Sequence, residues 1–145
     1  MNDSLWQETL GTFQESVGAP QPMPAGVATA AVSAALGLSL LVKVLRIRGI
    51  RPDLLRSAQE LIEELRAVAD ADIAAIRAFL QHRDTKGLNE VPVRAQHAVA
   101  QALALCVEAE PEVNGLIAAD VRAAAALLDG AANAIAACIA ANKTA

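Results

Sequence analysis

Tyrosine is absent from the chain, and Trp6, Phe13 and Phe79 are its only aromatic residues. That excludes the run of stacked rings with which proteins hold single-stranded nucleic acid. Basic charge is also scarce. Twelve Lys and Arg stand against sixteen Asp and Glu, a net charge of −4, so nucleic acid is not an expected partner. Two widely separated cysteines, Cys106 and Cys138, exclude a disulfide framework and a clustered zinc site. His82 and His97 have no Cys or carboxylate at ligand spacing, so no metal is expected. A Gly-rich phosphate cradle and a serine elbow are both missing. The N-terminus has no basic region, and Asp3 and Glu8 interrupt it, which argues against a signal peptide and for a cytoplasmic setting.

What remains is abundant alanine with apolar residues at helical spacing. A chain of 145 residues reads as one domain, 1–145, and no stretch alternates as a strand does. The pattern predicts an all-α bundle of about five helices. Asn2, Asp3 or Ser4 caps the first, whose apolar residues are Trp6, Leu10, Phe13 and Val17 and which Gly18 ends. The stiff linker "APQPMP" follows. A second helix runs from about Ala25 to Ile47, and a third from Pro52 to about His82. "RDTKGLNE" reads as a loop, Pro92 opens a fourth helix to about Glu108, and a fifth runs from just after Asn114 to about Asn142.

The second helix also invites a membrane reading. Ala25 to Val42 carries no charge, and Lys43, Arg46, Arg48 and Arg51 follow it. Its eighteen residues are near the lower limit for a span, and most are small and weakly apolar. A buried core helix is therefore expected, and no membrane. Small residues let helices approach closely, so this helix is also expected to pack against a partner copy.

Two carboxylates stand out. Asp72 falls in the middle of the third helix's apolar face, between Val68 and Ile76. A carboxylate there must be paired, protonated or lining a cavity. One reading makes it a cap for a neighbouring helix or a partner for Arg, the other a proton-transfer group. Asp120 lies beside the apolar stripe of the fifth helix, where the helix dipole offers a structural reason for it. Asn142 borders the same stripe.

Pro22-Met23-Pro24-Ala25-Gly26-Val27-Ala28, then Ala35-Leu36-Gly37, Asp70-Ala71-Asp72 and Val91-Pro92, with Asn114, Asp120 and Asn142 in order, form a set. In this set the chain resembles the formimidoyltetrahydrofolate cyclodeaminase / methenyltetrahydrofolate cyclohydrolase family. The family shows Pro-Thr-Pro-Gly-Gly-Gly-Ser, Ala-Leu-Gly, Asp-x-Asp and Val-Pro at matching places. The chain departs at the turn, where only Gly26 remains of three glycines and Ala28 replaces the serine. Ala119 and Cys138 replace a further Ser and Asn, and the family's segment after the second helix is Val44-Leu45-Arg46-Ile47-Arg48.

The resemblance implies an all-α homodimer acting on a methenyl- or formimino-tetrahydrofolate, with no cofactor beyond that folate. It implies Asp72 as proton-transfer group and Asp120 as stabiliser of the cationic one-carbon bridge. Pro24, Gly26, Asn114 and Asn142 become substrate-binding positions. Arg46 and Arg48 are candidates for the folate's glutamate tail, though flanking charges are more often solvated. The altered turn supports a second function class, a catalytically degenerate relative serving as a helical binding or assembly module. The retained Asp72, Asp120 and Asn142 incline the sequence reading toward the enzyme.

Overall fold

The computed structural model describes residues 4–144. Its order is a 3₁₀ turn Leu5–Gln7, α1 Leu10–Gly18, α2 Gly26–Arg48, α3 Pro52–His82, α4 Lys86–Ala109, a 3₁₀ turn Glu110–Glu112 and α5 Ala118–Asn142. No strand occurs among the described residues. The fold is the all-α bundle expected, with five α-helices among the described residues.

Four long helices run up, down, up, down. α2 packs on both α3 and α5, and α4 closes the ring between them. The core is built of Ala, Leu and Val, with Leu38, Leu41, Leu45, Leu65, Leu128 and Ile135 its largest fully buried side chains. A core so poor in aromatic volume fills its space by bringing helices close together. Two glycines mark where. A Cβ on Gly37 would stand 2.9 Å from Leu127 Cβ, so α2 and α5 touch there without a side chain between them. A Cβ on Gly87 would stand 2.6 Å from Ala75 Cβ, where α4 crosses α3.

α2 is the buried centre. Most of its small residues, among them Ala28, Ala31, Ala34 and Ala35, are buried against other helices of the same chain. α2 and α5 are both long and apolar enough to cross a bilayer. Within its most apolar window α2 is 67% buried, and α5 only 22%.

Two boundaries differ from the sequence reading. The first expected helix is broken at Glu8 and Thr9. Asp70 on α3 causes the break: it accepts from Ser4 Oγ (2.6 Å) and Leu5 N (2.9 Å), and Trp6 Nε1 donates to Arg66 O (3.0 Å). These bonds draw the 3₁₀ turn onto α3, and Thr9 then caps α1 by accepting from Thr12 N. Ser4 fills the expected capping role by accepting from Trp6 N, while Asn2 and Asp3 lie outside the described residues.

The fourth helix starts at Lys86, not Pro92, so Lys86 to Glu90 of the expected loop are helical. Pro92 therefore sits inside α4, buried, where it has no N–H to give the carbonyl four residues back. That carbonyl belongs to Leu88, and Asn142 Nδ2 donates to it at 2.9 Å. A side chain from α5 replaces the missing donor, and the helix continues through its proline.

The arginine at the α2–α3 turn is a second tie. Arg51 adopts a left-handed conformation (φ 49°) as it leads into Pro52. It pairs with Asp53 at 2.8 Å, Glu108 at 2.9 Å and Glu112 at 2.5 Å, joining that turn to the end of α4. Its guanidinium holds the Asp53 carboxyl down to about 2.

The glycine crossings yield a test. Gly37→Ala and Gly87→Ala should each destabilise the protein by about 1–3 kcal/mol through overpacking, despite alanine's better helix propensity. Gly11→Ala, with nothing within 4 Å of its added Cβ, should leave stability unchanged or raise it by up to about 1 kcal/mol. Urea midpoints of the three variants check this.

Candidate functional site

The N-terminus of α2 is where the sequence candidates meet the structure. Ala25 precedes the helix and has no side chain able to cap it. The first N–H groups of a helix need acceptors from elsewhere. Asp72, on α3, supplies one: its Oδ2 accepts from Ala28 N at 3.1 Å. Asp72 is 3% exposed, the one buried polar or charged residue among those described. Of the two readings left open, the cap for a neighbouring helix is the one its geometry displays.

Burial sets its chemistry. Desolvation pushes the Asp72 carboxyl above its usual range, and the bond from Ala28 opposes this only in part. The Cys138 thiol, half-buried, is pushed up by burial and then by the negative charge of Asp72. Gly26 completes the group, for a Cβ there would stand 2.7 Å from Cys138 Sγ. Gly26 is thus needed for the contact with α5, whatever else its backbone does. Cys106, buried in α4, has its thiol pushed up to about 11 by burial and by Glu110. Both thiols favour the protonated, weakly nucleophilic form.

In front of this group lies an open groove of about 560 Å³ between α2 and α5. Pro24, Gly26, Thr29 and Ser33 form one wall, Leu127, Gly130 and Ala134 the other, and Val17 closes an end. The peptide before Pro24 is cis. No charged side chain lines the groove. Thr29 Oγ1 already donates to Ala25 O at 2.8 Å.

The remaining candidates divide by location. Asn142 is at the same end of the bundle, one turn beyond Cys138, with its amide on Leu88 O. Asp120 is at the other end, ion-paired with Lys43. Ala28 and Lys43, their respective partners on α2, are separated by about 22 Å at 1.5 Å per residue. Within one chain the two carboxylates do not share a site. Asn114 is farther still: its carbonyl accepts from Arg48 Nη2 at 2.8 Å, fastening the loop before α5 to the end of α2. Arg48 is engaged there, and Arg46 lines a separate polar cleft with Lys43, Gln59 and Glu63.

Sequence reasoning passed over Asp70, placed on the polar side of α3, which holds the N-terminal turn. It also passed over Thr29, Ser33, Gly130 and Ala134. These small residues recur at helical spacing, a visible signal, but which helix faces which was not. Among the described residues, no three His, Cys, Asp or Glu side chains group as a metal would require. No protein-family model matches the chain, and no characterised protein matches it in sequence.

The raised carboxyl makes a pH test. The folded state holds the Asp72 proton more tightly than the unfolded chain does. Its contribution to stability is therefore full below the unfolded value near 3.8 and is lost as pH rises through the folded value. Asp72→Asn keeps an acceptor for Ala28 N but never ionises. It should match the parent near pH 3 and equal or exceed it at pH 7. Asp72→Ala removes the acceptor and should cost about 1–2 kcal/mol at either pH. Chemical denaturation at the two pH values measures both.

Proposed function

We propose that this chain is a helical assembly module on a cyclodeaminase-like frame, presenting the α2–α5 face to a partner rather than converting a folate. One observation carries this reading. The two carboxylates that would share the chemistry are held about 22 Å apart along α2, each on a structural partner. Acid–base catalysis needs its groups within hydrogen-bond reach of one substrate. The groove near Asp72 has no charged lining, so nothing there is arranged to attract the cationic methenyl bridge. Asn142 and Asn114, the proposed binding positions, are engaged with Leu88 and Arg48 through an amide and a carbonyl.

A second reading has its own support. Asp72 accepts from Ala28 N, two residues after the groove-lining Gly26, and burial favours its protonated form. A carboxyl so poised suits proton transfer to a departing nitrogen. On this reading the chain is a cyclohydrolase or cyclodeaminase that uses Asp72 alone, with methenyl- or formimino-tetrahydrofolate in the groove.

Incubating the parent and Asp72→Asn with methenyltetrahydrofolate separates the two. The assembly reading expects no hydrolysis above the buffer rate and no ligand-induced rise in thermal midpoint. Turnover by the parent that falls by about 10²–10⁴ in Asp72→Asn would establish the enzyme instead. Asn142→Ala provides a control for structure. It leaves Leu88 O without its donor inside a proline-broken helix turn, and should cost about 1–2 kcal/mol whichever function holds.

A further inference from the structure

A cleft of about 570 Å³ has no part in the function proposed above. It opens between α2 and α3, whereas the groove lies between α2 and α5. Val42, Ile47 and Ile62 supply its apolar surface. Ser39, Lys43, Arg46, Gln59 and Glu63 supply its polar one.

The charges of this cleft are not spent on each other. Asp120 takes Lys43. α2 has no acidic residue, and Asp53 at the start of α3 is held by Arg51, so Arg46 is left without a carboxylate. On α3, Glu64 pairs with Arg94, and Arg66, one turn from Glu63, lies over the Trp6 ring at 5.0 Å. Arg46 and Glu63 are both exposed, and neither forms an ion pair with another described residue. The cleft thus presents a cation and a carboxylate that pair neither with each other nor with a neighbour. Ser39 Oγ donates to Ala35 O at 2.8 Å, so its lone pairs remain to accept. Gln59 adds an exposed amide. Ile47 is 64% exposed although it lines the cleft. A single exposed apolar side chain is ordinary. One beside two unspent opposite charges gives a ligand three different points of contact.

We propose that this cleft binds a small zwitterion with an aliphatic side chain, an α-amino acid or a short peptide. The Arg46 guanidinium donates two parallel N–H bonds to the ligand's carboxylate, which its planar fork matches. The ligand's ammonium donates to Glu63 and to the Ser39 oxygen. The side chain covers Ile47 and lies on Val42 and Ile62, removing apolar surface from water. Glu63 disfavours a dianion, and Lys43 with Arg46 disfavours a dication, so the cleft selects a molecule that carries both charges. That requirement separates it from a site for a folate's glutamate tail, which has carboxylates and no ammonium. Binding here is independent of what the α2–α5 face does.

NMR titration of the isotope-labelled full chain with L-leucine tests the site. Leucine should bind in the low millimolar range or tighter and shift the amides of 39–47 and 59–63. Isocaproate lacks the ammonium and isoamylamine lacks the carboxylate, and each should bind at least about tenfold more weakly. Arg46→Gln should weaken leucine about tenfold and leave isoamylamine unchanged. Glu63→Gln should weaken leucine and isoamylamine and leave isocaproate unchanged. Both side chains are exposed, so the helical circular dichroism signal should not change in either variant. Arg56→Gln, exposed and outside the cleft, should bind leucine as the parent does. Leucyl-leucine distinguishes the two sources: tighter binding than leucine gives the cleft to a peptide, weaker binding to the free amino acid. Absence of binding by both leucine and leucyl-leucine at about 20 mM overturns the proposal. So does a single-charge analogue that binds as tightly as leucine, or an Arg46→Gln variant that binds leucine unchanged.

Discussion

Everything in this bundle depends on how near its helices come to one another. With almost no aromatic volume to fill gaps, packing density comes from short interaxial distance rather than from large side chains. Gly26 against Cys138, Gly37 against Leu127 and Gly87 against Ala75 are the points where the approach is closest. At each, a β-carbon would have to displace part of a neighbouring helix. Alanine does the rest: Ala28, Ala31, Ala34, Ala58, Ala69, Ala95, Ala102 and Ala124 are fully buried. The low volume of such residues makes the contacts short and the tolerance for added methylenes small.

Close packing leaves little room for water, so backbone groups without a regular partner must be met by side chains. Two residues that look chemical in the sequence do this. Asp72 reaches from α3 to the start of α2, where Ala25 cannot cap. Asn142 reaches from α5 to the carbonyl that Pro92 leaves without a donor. Asp70 does a third such task by accepting from Leu5 N in the N-terminal turn. Each repair joins separate elements, so each orders the bundle as well as satisfying a polar group. The raised Asp72 carboxyl follows from this placement: a cap taken from another helix can be buried more deeply than a solvent-facing N-cap. Its perturbed proton affinity is therefore a consequence of structure before it is evidence for catalysis.

The same economy of side chains explains the outer surface. α2 is enclosed on three sides, and most of its small residues serve contacts within the chain. α5 is enclosed on one side only, yet its outer stripe is as small and uncharged as an inner one.

Several of these features were legible from residues alone. Periodicity and the positions of Pro and Gly located the long helices, because both act locally on the backbone. The intrusion of Asp72 into an apolar face was also legible, since a helix's faces follow from its 3.6-residue repeat. That α2 is a core helix followed from its small residues and its length. What only the tertiary structure decided is which group each side chain meets. In the sequence Asp120 reads as a companion to Asp72 because both interrupt apolar stripes. Helix order places them at opposite ends of α2, a distance no spacing in the sequence expresses. Pro92 reads as a helix start because a proline lacks its N–H; Asn142, fifty residues away on another helix, supplies the donor that lets α4 begin earlier. Local rules act through neighbouring backbone atoms and can be read along the chain. Partners across the bundle depend on how the helices are arranged around α2, and that arrangement exists only once the chain has folded.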